Sequence, residues 1–127
     1  MVAEELRQEP MMAHLMDSLD AGEDIGHYGR LVFAMIARHF MSDDEVIDHL
    51  IKNPGFDETA AQGLLSQIDA RGYNPPKRER ILDWMSRQEF PICPEPHDRS
   101  QCNVYRNLAF PEEVYNKINE FYERGER

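Results

Sequence analysis

Apolar residues recur along most of this chain with the spacing of an α-helix. A first set follows Pro10 at positions i, i+3, i+4 and i+7, namely Met12, Leu15, Met16 and Leu19. Proline suits the first turn of a helix and glycine commonly ends one, so this helix runs from Pro10 to about Gly22. The pattern predicts a helix with one buried face.

The second predicted helix, from about His27 to Met41, is apolar around most of its circumference. A helix without a polar face packs on several sides, so we expect it at the centre of the core. A third helix begins at Ser42, where Ser42 and Glu45 have the spacing of a capping box. The turn Asn53-Pro54-Gly55 ends it.

Three more helices complete the predicted fold. Asp57 caps the fourth and Gly72 ends it, the fifth runs from about Lys77 to Gln88, and the sixth from Pro111 to Arg124. Residues 89–110 contain prolines, both cysteines and no helical period, and a loop of this length is usually functional or tied down. The prediction is an all-α, single-domain helical bundle over residues 1–127, with about six helices and a long proline-rich loop before the last.

The chain is acidic, with a formal net charge of -10 and most of the acidic excess in its first half. Its overall field therefore repels nucleic acid, and any such binding needs a local basic patch. The longest apolar stretch, Leu31–Ala37, is far shorter than the roughly 20 residues of a membrane span, and the first residues are acidic where a signal peptide is basic. We expect no membrane contact and a cytoplasmic location.

The two cysteines, Cys93 and Cys102, leave three alternatives open. They are free and buried, they form one disulfide, or with His97 and a fourth ligand such as His14 or His27 they hold zinc. Two cysteines are too few for the disulfide framework of a small secreted domain, and their spacing matches no strong zinc signature. Free thiols in a reducing compartment are the favoured prediction.

One stretch of the chain is basic and contains most of the candidate phosphate-binding residues. It combines cationic side chains with two aromatic stacking surfaces: Arg71, Lys77, Arg78, Arg80 and Arg87, with Tyr73 and Trp84. His27 and Arg30 lie one turn apart at a helix N-terminus, where backbone N–H groups favour an anion. The alternatives are a solvated helix face, a Trp84 in the core, a His27 that caps the helix, and an Arg30 paired with Glu23 or Asp24.

Seven short features follow one another in an order that is shared with a known family. They are Glu9-Pro10-Met11-Met12, His27-Tyr28-Gly29-Arg30, Met41-Ser42-Asp43-Asp44-Glu45, Asn53-Pro54-Gly55-Phe56-Asp57, Tyr73-Asn74-Pro75-Pro76, Cys93 and Cys102. In this order the chain resembles, over about residues 9–115, the C-terminal helical domain of the large subunit of archaeal and eukaryotic DNA primase. No single motif is specific, so the shared order and spacing carry the resemblance.

That family normally carries an iron-sulfur cluster on four cysteines. The resemblance places Met11 and Arg78 at the first two of those positions, and Cys93 and Cys102 near the other two. Two thiolates cannot hold a cubane cluster, so we expect the cluster to be lost. No cofactor is expected, with zinc at Cys93, His97 and Cys102 as a minor possibility.

The resemblance implies an accessory role in DNA replication, within a primosome where a separate catalytic primase or polymerase subunit makes the primer. The chain has no glycine-rich phosphate loop and no carboxylate trio of the polymerase kind, so we expect no enzyme activity of its own. In the family the residues matching His27 and Arg30 approach the 5′-triphosphate of the primer. The expected ligand is template DNA or an RNA–DNA primer end, bound by His27, Arg30, Arg71, Tyr73, Lys77, Arg78 and Arg80.

Two other functions stay open. The family's template contacts on the fourth helix are replaced here by Gly63, Leu64 and Gln67. With the acidic charge, this favours a protein-interaction module that retains the fold without binding nucleic acid. The third alternative is a redox or metal sensor built on the two cysteines and His97.

Overall fold

The computed structural model describes residues 2–115, and every regular element within this part is a helix. Seven helices have defined bounds: α1 Val2–Gln8, α2 Pro10–Asp20, α3 Gly26–Ala37, α4 Asp43–Leu50, α5 Glu58–Arg71, α6 Arg78–Met85 and α7 Val104–Asn107. Residues 112–115 are helical as well, and the rest of the predicted sixth helix lies outside the described residues. The all-α prediction is confirmed. None of the helices in the described part has the length and apolar content needed to cross a bilayer.

Helix α1 is missing from the sequence prediction. Leu6 is its buried residue among those described, and a single apolar position sets no period. The helix packs against α2, where Arg7 pairs with Asp17 at 2.6 Å and with Asp20 at 2.8 Å. Pro10 has no N–H to continue the hydrogen-bond pattern of α1, so a new helix starts there.

The capping signals place the ends of α4 and α5 correctly. Ser42 Oγ accepts the Glu45 N–H and the Glu45 carboxylate accepts the Ser42 N–H, which forms the predicted capping box. Asp57 caps α5, and Gly72 ends it with φ of 62°, a left-handed conformation that glycine adopts without a steric penalty. The predicted second and fifth helices are too long, because α3 ends at Ala37 and α6 at Met85 and turns follow both.

Helix α3 lies at the centre of the core, as its apolar circumference predicts. It packs against α2, α4, α5 and α6, and every residue of Leu31–Ala37 is buried. Burying one large side chain such as Phe33 stabilises the fold by roughly 1.5–3 kcal/mol. Asn53 holds the start of this helix, since its Oδ1 accepts the Ile25 N–H at 2.8 Å while its amide donates to the Pro54 carbonyl at 3.0 Å.

Cys93 and Cys102 form a disulfide, with their Cα atoms 6.0 Å apart. The favoured prediction of free thiols is therefore wrong, and a zinc site on these two sulfurs does not agree with this pairing either. The pairing also removes the cysteine argument for a reducing compartment. The predicted loop of residues 89–110 is thus tied by a bridge, and it is interrupted by α7.

Glu9 is a buried carboxylate between α1 and α2, with 2% of its surface exposed. Its Oε2 accepts the Met12 N–H at 2.8 Å, and its Oε1 accepts an N–H of the Asn107 amide at 3.4 Å. Burial raises the pKa of the Glu9 carboxyl above the ordinary value of 4.5, although these hydrogen bonds oppose the shift. Because the unfolded chain ionises first, burial of Glu9 costs stability as the pH rises from 4.5 through the raised native pKa.

We expect Glu9→Gln to raise the free energy of unfolding at neutral pH by about 1 kcal/mol, because glutamine keeps an acceptor for the Met12 N–H and buries no charge. The gain should vanish on acidification below 4.5, where Glu9 is protonated in both states. Urea unfolding across this pH range measures it, with the exposed Glu5→Gln as the control. A loss of stability in Glu9→Gln at every pH would show that the ionised hydrogen bonds outweigh desolvation.

Candidate nucleic-acid interface

Helix α6 begins at the wall of a surface cleft of about 480 Å³. The opposite wall comes from the segment that follows Cys93. The residues that line the cleft are Lys77, Arg78, Glu79, Arg99, Asn103, Tyr105, Arg106 and Tyr115. We call it the basic cleft. Its volume falls in the range of small-molecule and nucleotide sites, roughly 300–1,000 Å³.

The charge of the basic cleft is opposite to that of the protein as a whole. Among the described residues that line it, four cationic side chains stand against the single carboxylate of Glu79. Within residues 2–115, no carboxylate oxygen lies within 4.0 Å of the guanidinium of Arg99 or Arg106. Guanidinium groups without a carboxylate partner have donors available for phosphate oxygens.

Two tyrosine rings form the less polar part of the cleft. The Tyr105 hydroxyl donates to the Pro75 carbonyl, and burial raises the pKa of this phenol. The Tyr115 hydroxyl donates to the Leu108 carbonyl at 3.3 Å and accepts the Phe110 N–H at 3.1 Å. Because both hydroxyls are bonded to the backbone, the rings are fixed, with centroids 6.2 Å apart and planes at 62°. Fixed aromatic rings beside cations are suited to contact with a base or a sugar.

Arg78 lines the cleft but is bonded to the protein itself. Its Nε donates to the Gln101 carbonyl at 3.1 Å, and its Nη2 donates to the carbonyls of Pro96 and, at 3.4 Å, Asp98. The guanidinium therefore holds the loop between Cys93 and Cys102 against the start of α6. These bonds leave only some of the guanidinium N–H groups for a phosphate. The role of Arg78 as a phosphate donor stays a prediction.

The start of α3 is already capped by other residues of the chain. Asp24 accepts the Gly26 N–H at 2.9 Å, and the Gln88 side chain accepts the Tyr28 N–H at 2.9 Å. The same Gln88 amide donates to the Ile25 carbonyl at 2.8 Å. A Cβ atom at Gly26 would lie 2.5 Å from Gln88 Oε1, so glycine is needed there. These bonds occupy N–H groups that a phosphate would use.

Arg30 is paired with a carboxylate, which is one of the alternatives that the sequence left open. Its guanidinium pairs with Asp24 at 3.2 Å and lies 4.6 Å from the centroid of the Phe56 ring. His27 does not cap the helix, because Ile25 is the N-cap residue; its ring contacts Tyr28 edge-on, with centroids 5.1 Å apart. Neither His27 nor Arg30 is among the described residues that line the basic cleft.

The other predicted residues lie around α6 in different environments. Arg71 is exposed at the end of α5, and Tyr73 lines a smaller cavity with Arg38 and His39. The Arg80 guanidinium lies 5.8 Å from the Trp84 ring, and Tyr28 stacks on that ring at 5.6 Å. Trp84 is half-buried against the core, which agrees with the packing alternative more than with a free stacking platform.

The sequence prediction missed five residues of the basic cleft: Arg99, Asn103, Tyr105, Arg106 and Tyr115. The unusual length of the segment was the signal that marked this region as functional. It could not single out residues, because side-chain direction in an irregular loop follows no period.

An iron-sulfur cluster of the kind that the resemblance implies does not fit these residues. At the corresponding positions Met11 is buried in the core, Arg78 is bonded to loop carbonyls, and Cys93 and Cys102 are joined to each other. A cubane cluster needs four thiolates. Among residues 2–115, no group of three or more His, Cys, Asp or Glu side chains is arranged to hold a metal ion.

Comparison with known proteins supports a distant relationship of primase large-subunit type. The chain is similar to the DNA primase large subunit PriL of Thermoplasma acidophilum, at 29% identity over 77 residues. This similarity covers 57% of the chain and 23% of that protein, so the chain corresponds to less than a quarter of its length. No protein-family profile matches the chain, and no solved structure matches it.

We expect Gln88→Ala to lower the free energy of unfolding by about 1–3 kcal/mol, because it leaves the half-buried Tyr28 N–H and Ile25 carbonyl without partners. Gln67→Ala, an exposed change within α5, is the control and should be nearly neutral. Thermal and urea unfolding followed by circular dichroism measure both. Equal stability of the two variants would contradict a role for Gln88 in capping α3.

Proposed function

We propose that this chain is a non-catalytic, primase-large-subunit-like accessory domain that binds a nucleic-acid template or the 5′-triphosphate end of a primer. A separate catalytic primase or polymerase subunit forms the phosphodiester bond. The observation that carries the proposal is the basic cleft, a local cluster of cations on a protein of net charge -10. The partial similarity to a DNA primase large subunit supports the same function.

Binding starts with the phosphates. Arg99 and Arg106 donate charge-assisted hydrogen bonds to phosphate oxygens, and Lys77 adds positive charge at the start of α6. The amide of Asn103 offers a donor and an acceptor for a sugar or a base edge. The rings of Tyr105 and Tyr115 form the side of the cleft against which an unpaired base or a ribose packs.

The acidic remainder of the protein limits this binding to one place. Away from the cleft, cationic groups such as Arg7, Arg38 and Arg87 are paired with aspartates at 2.6–3.1 Å, so they offer little to a phosphate. Repulsion from the remaining surface keeps a strand from lying elsewhere and makes the interaction depend on a few contacts. The affinity should accordingly fall as salt rises, with a slope that corresponds to a few phosphates.

We expect the protein to bind a DNA template that carries a short RNA strand with a 5′-triphosphate, with affinity that falls as salt rises. Arg99→Ala and Arg106→Ala should each weaken binding about tenfold and lower the salt slope by about one, because each removes a phosphate contact. Fluorescence anisotropy at low and physiological salt measures both quantities. Lys52→Ala, a charge-matched change on the α4 side, should leave binding unchanged.

Two outcomes separate this function from the protein-interaction module. Binding that is insensitive to salt or to the arginine changes would remove the cleft from the interface. Absence of binding even at low salt would leave the interaction module, which the bonded state of Arg30 and Arg78 favours. In that case a complex with a catalytic primase subunit, measured by size-exclusion chromatography, is the direct test.

A further inference from the structure

The disulfide and Arg78 hold the same short segment from two sides. The Cys93–Cys102 bond closes a loop of nine residue steps. From α6, the Arg78 guanidinium donates to three carbonyls inside that loop, those of Pro96, Asp98 and Gln101. A planar guanidinium with several fixed donors can bind several carbonyls at once, which a lysine ammonium on a flexible stem does less well.

The position of the cleft residues depends on this loop. Arg99 lies inside it, and Asn103, Tyr105 and Arg106 follow directly after Cys102. Asn107 adds a second link, because its amide donates to the Ser100 carbonyl at 3.0 Å. Whatever fixes the loop against α6 therefore fixes the distance between Lys77 on one wall and Arg99 on the other. Arg106 lies on α7, which the bond between the Tyr105 hydroxyl and the Pro75 carbonyl also holds.

One of the two bridged cysteines has an uncommon backbone conformation. Cys102 has φ of 64°, in the left-handed region that residues with a Cβ rarely adopt. The two cysteines are 1% and 0% exposed, so a reductant reaches the sulfurs only when the loop opens. A movement of the loop away from α6 breaks the three Arg78 bonds, so these bonds oppose the access of a reductant to the disulfide.

We propose that Arg78 and the Cys93–Cys102 disulfide form a redox-dependent tie that positions the cations of the basic cleft. A dithiol reductant transfers two electrons and two protons: the S–S bond breaks, Cys93 and Cys102 become thiols, and the dithiol becomes a disulfide. The freed loop then leaves its left-handed conformation at Cys102, and Arg99 separates from Lys77 and Arg106. Arg78 is a positioning residue in this scheme. The effect on binding rests on the function proposed above, whereas the protection of the disulfide does not.

The protection is tested by the rate of reduction. With dithiothreitol in excess, the appearance of thiols followed by a thiol-specific reagent should be about tenfold faster in Arg78→Ala than in the wild type. Arg78→Lys should be reduced at an intermediate rate. Arg87→Ala, which removes a cation paired with Asp83 and outside the loop contacts, should be reduced at the wild-type rate. Equal rates in Arg78→Ala and the wild type would overturn the role of Arg78.

The effect on binding is tested with the same primed template by anisotropy, in oxidised, reduced and reoxidised wild-type protein. Reduction should weaken binding about tenfold, reoxidation should restore it, and the helical circular-dichroism signal should stay unchanged. Cys93→Ser/Cys102→Ser should behave as the reduced protein. Equal affinity in both redox states would overturn the tie. No binding by the oxidised protein would instead overturn the proposed function, and the reduction rates would still decide the role of Arg78.

Discussion

The fold depends on covering α3, a helix whose second half, Leu31–Ala37, is buried on every side. Because Leu31–Ala37 is buried throughout, four other helices must lie around it, and their packing places the remaining elements. Helix α6 is one of these four, so its direction is fixed by the core rather than by the cleft at its start. The cleft therefore combines one rigid wall, supplied by a core helix, with one wall made of irregular chain. The geometry of the site therefore depends on how that second wall is held.

Local signals in the sequence were sufficient where one residue determines the backbone. The capping box at Ser42, the Asp57 cap and the left-handed Gly72 all predicted their helix ends, because these contacts join residues a few positions apart. The signals failed where distant residues decide. Gln88 caps α3 from 60 positions away, and Arg78 reaches carbonyls 18 to 23 positions further on. The residues of the basic cleft are likewise brought together by contacts between distant parts of the chain, so most of them could not be predicted from their spacing in the sequence.

The positions that hold cluster cysteines in the primase family are occupied differently in this chain. The order of motifs indicated the primase large-subunit type, which the partial similarity to PriL supports. The two remaining cysteines are bonded to each other, and the Arg78 guanidinium lies where the resemblance places the second cluster cysteine. A disulfide and a set of hydrogen bonds can restrain a loop as a metal cluster does. Unlike a cluster, they offer no open ligand position, and reduction of the disulfide takes two electrons.

The position of the Gln88 cap also determines when α3 can be completed during synthesis. Helix α3 precedes both its cap and one of its four covering helices in the chain, because Gln88 lies 60 positions after Tyr28 and α6 begins only at Arg78. Closing a loop of that size is entropically costly until the covering surfaces are present to stabilise it. Until α6 has left the ribosome, the nascent chain therefore carries α3 with one apolar side uncovered, and during this interval that side is open to aggregation.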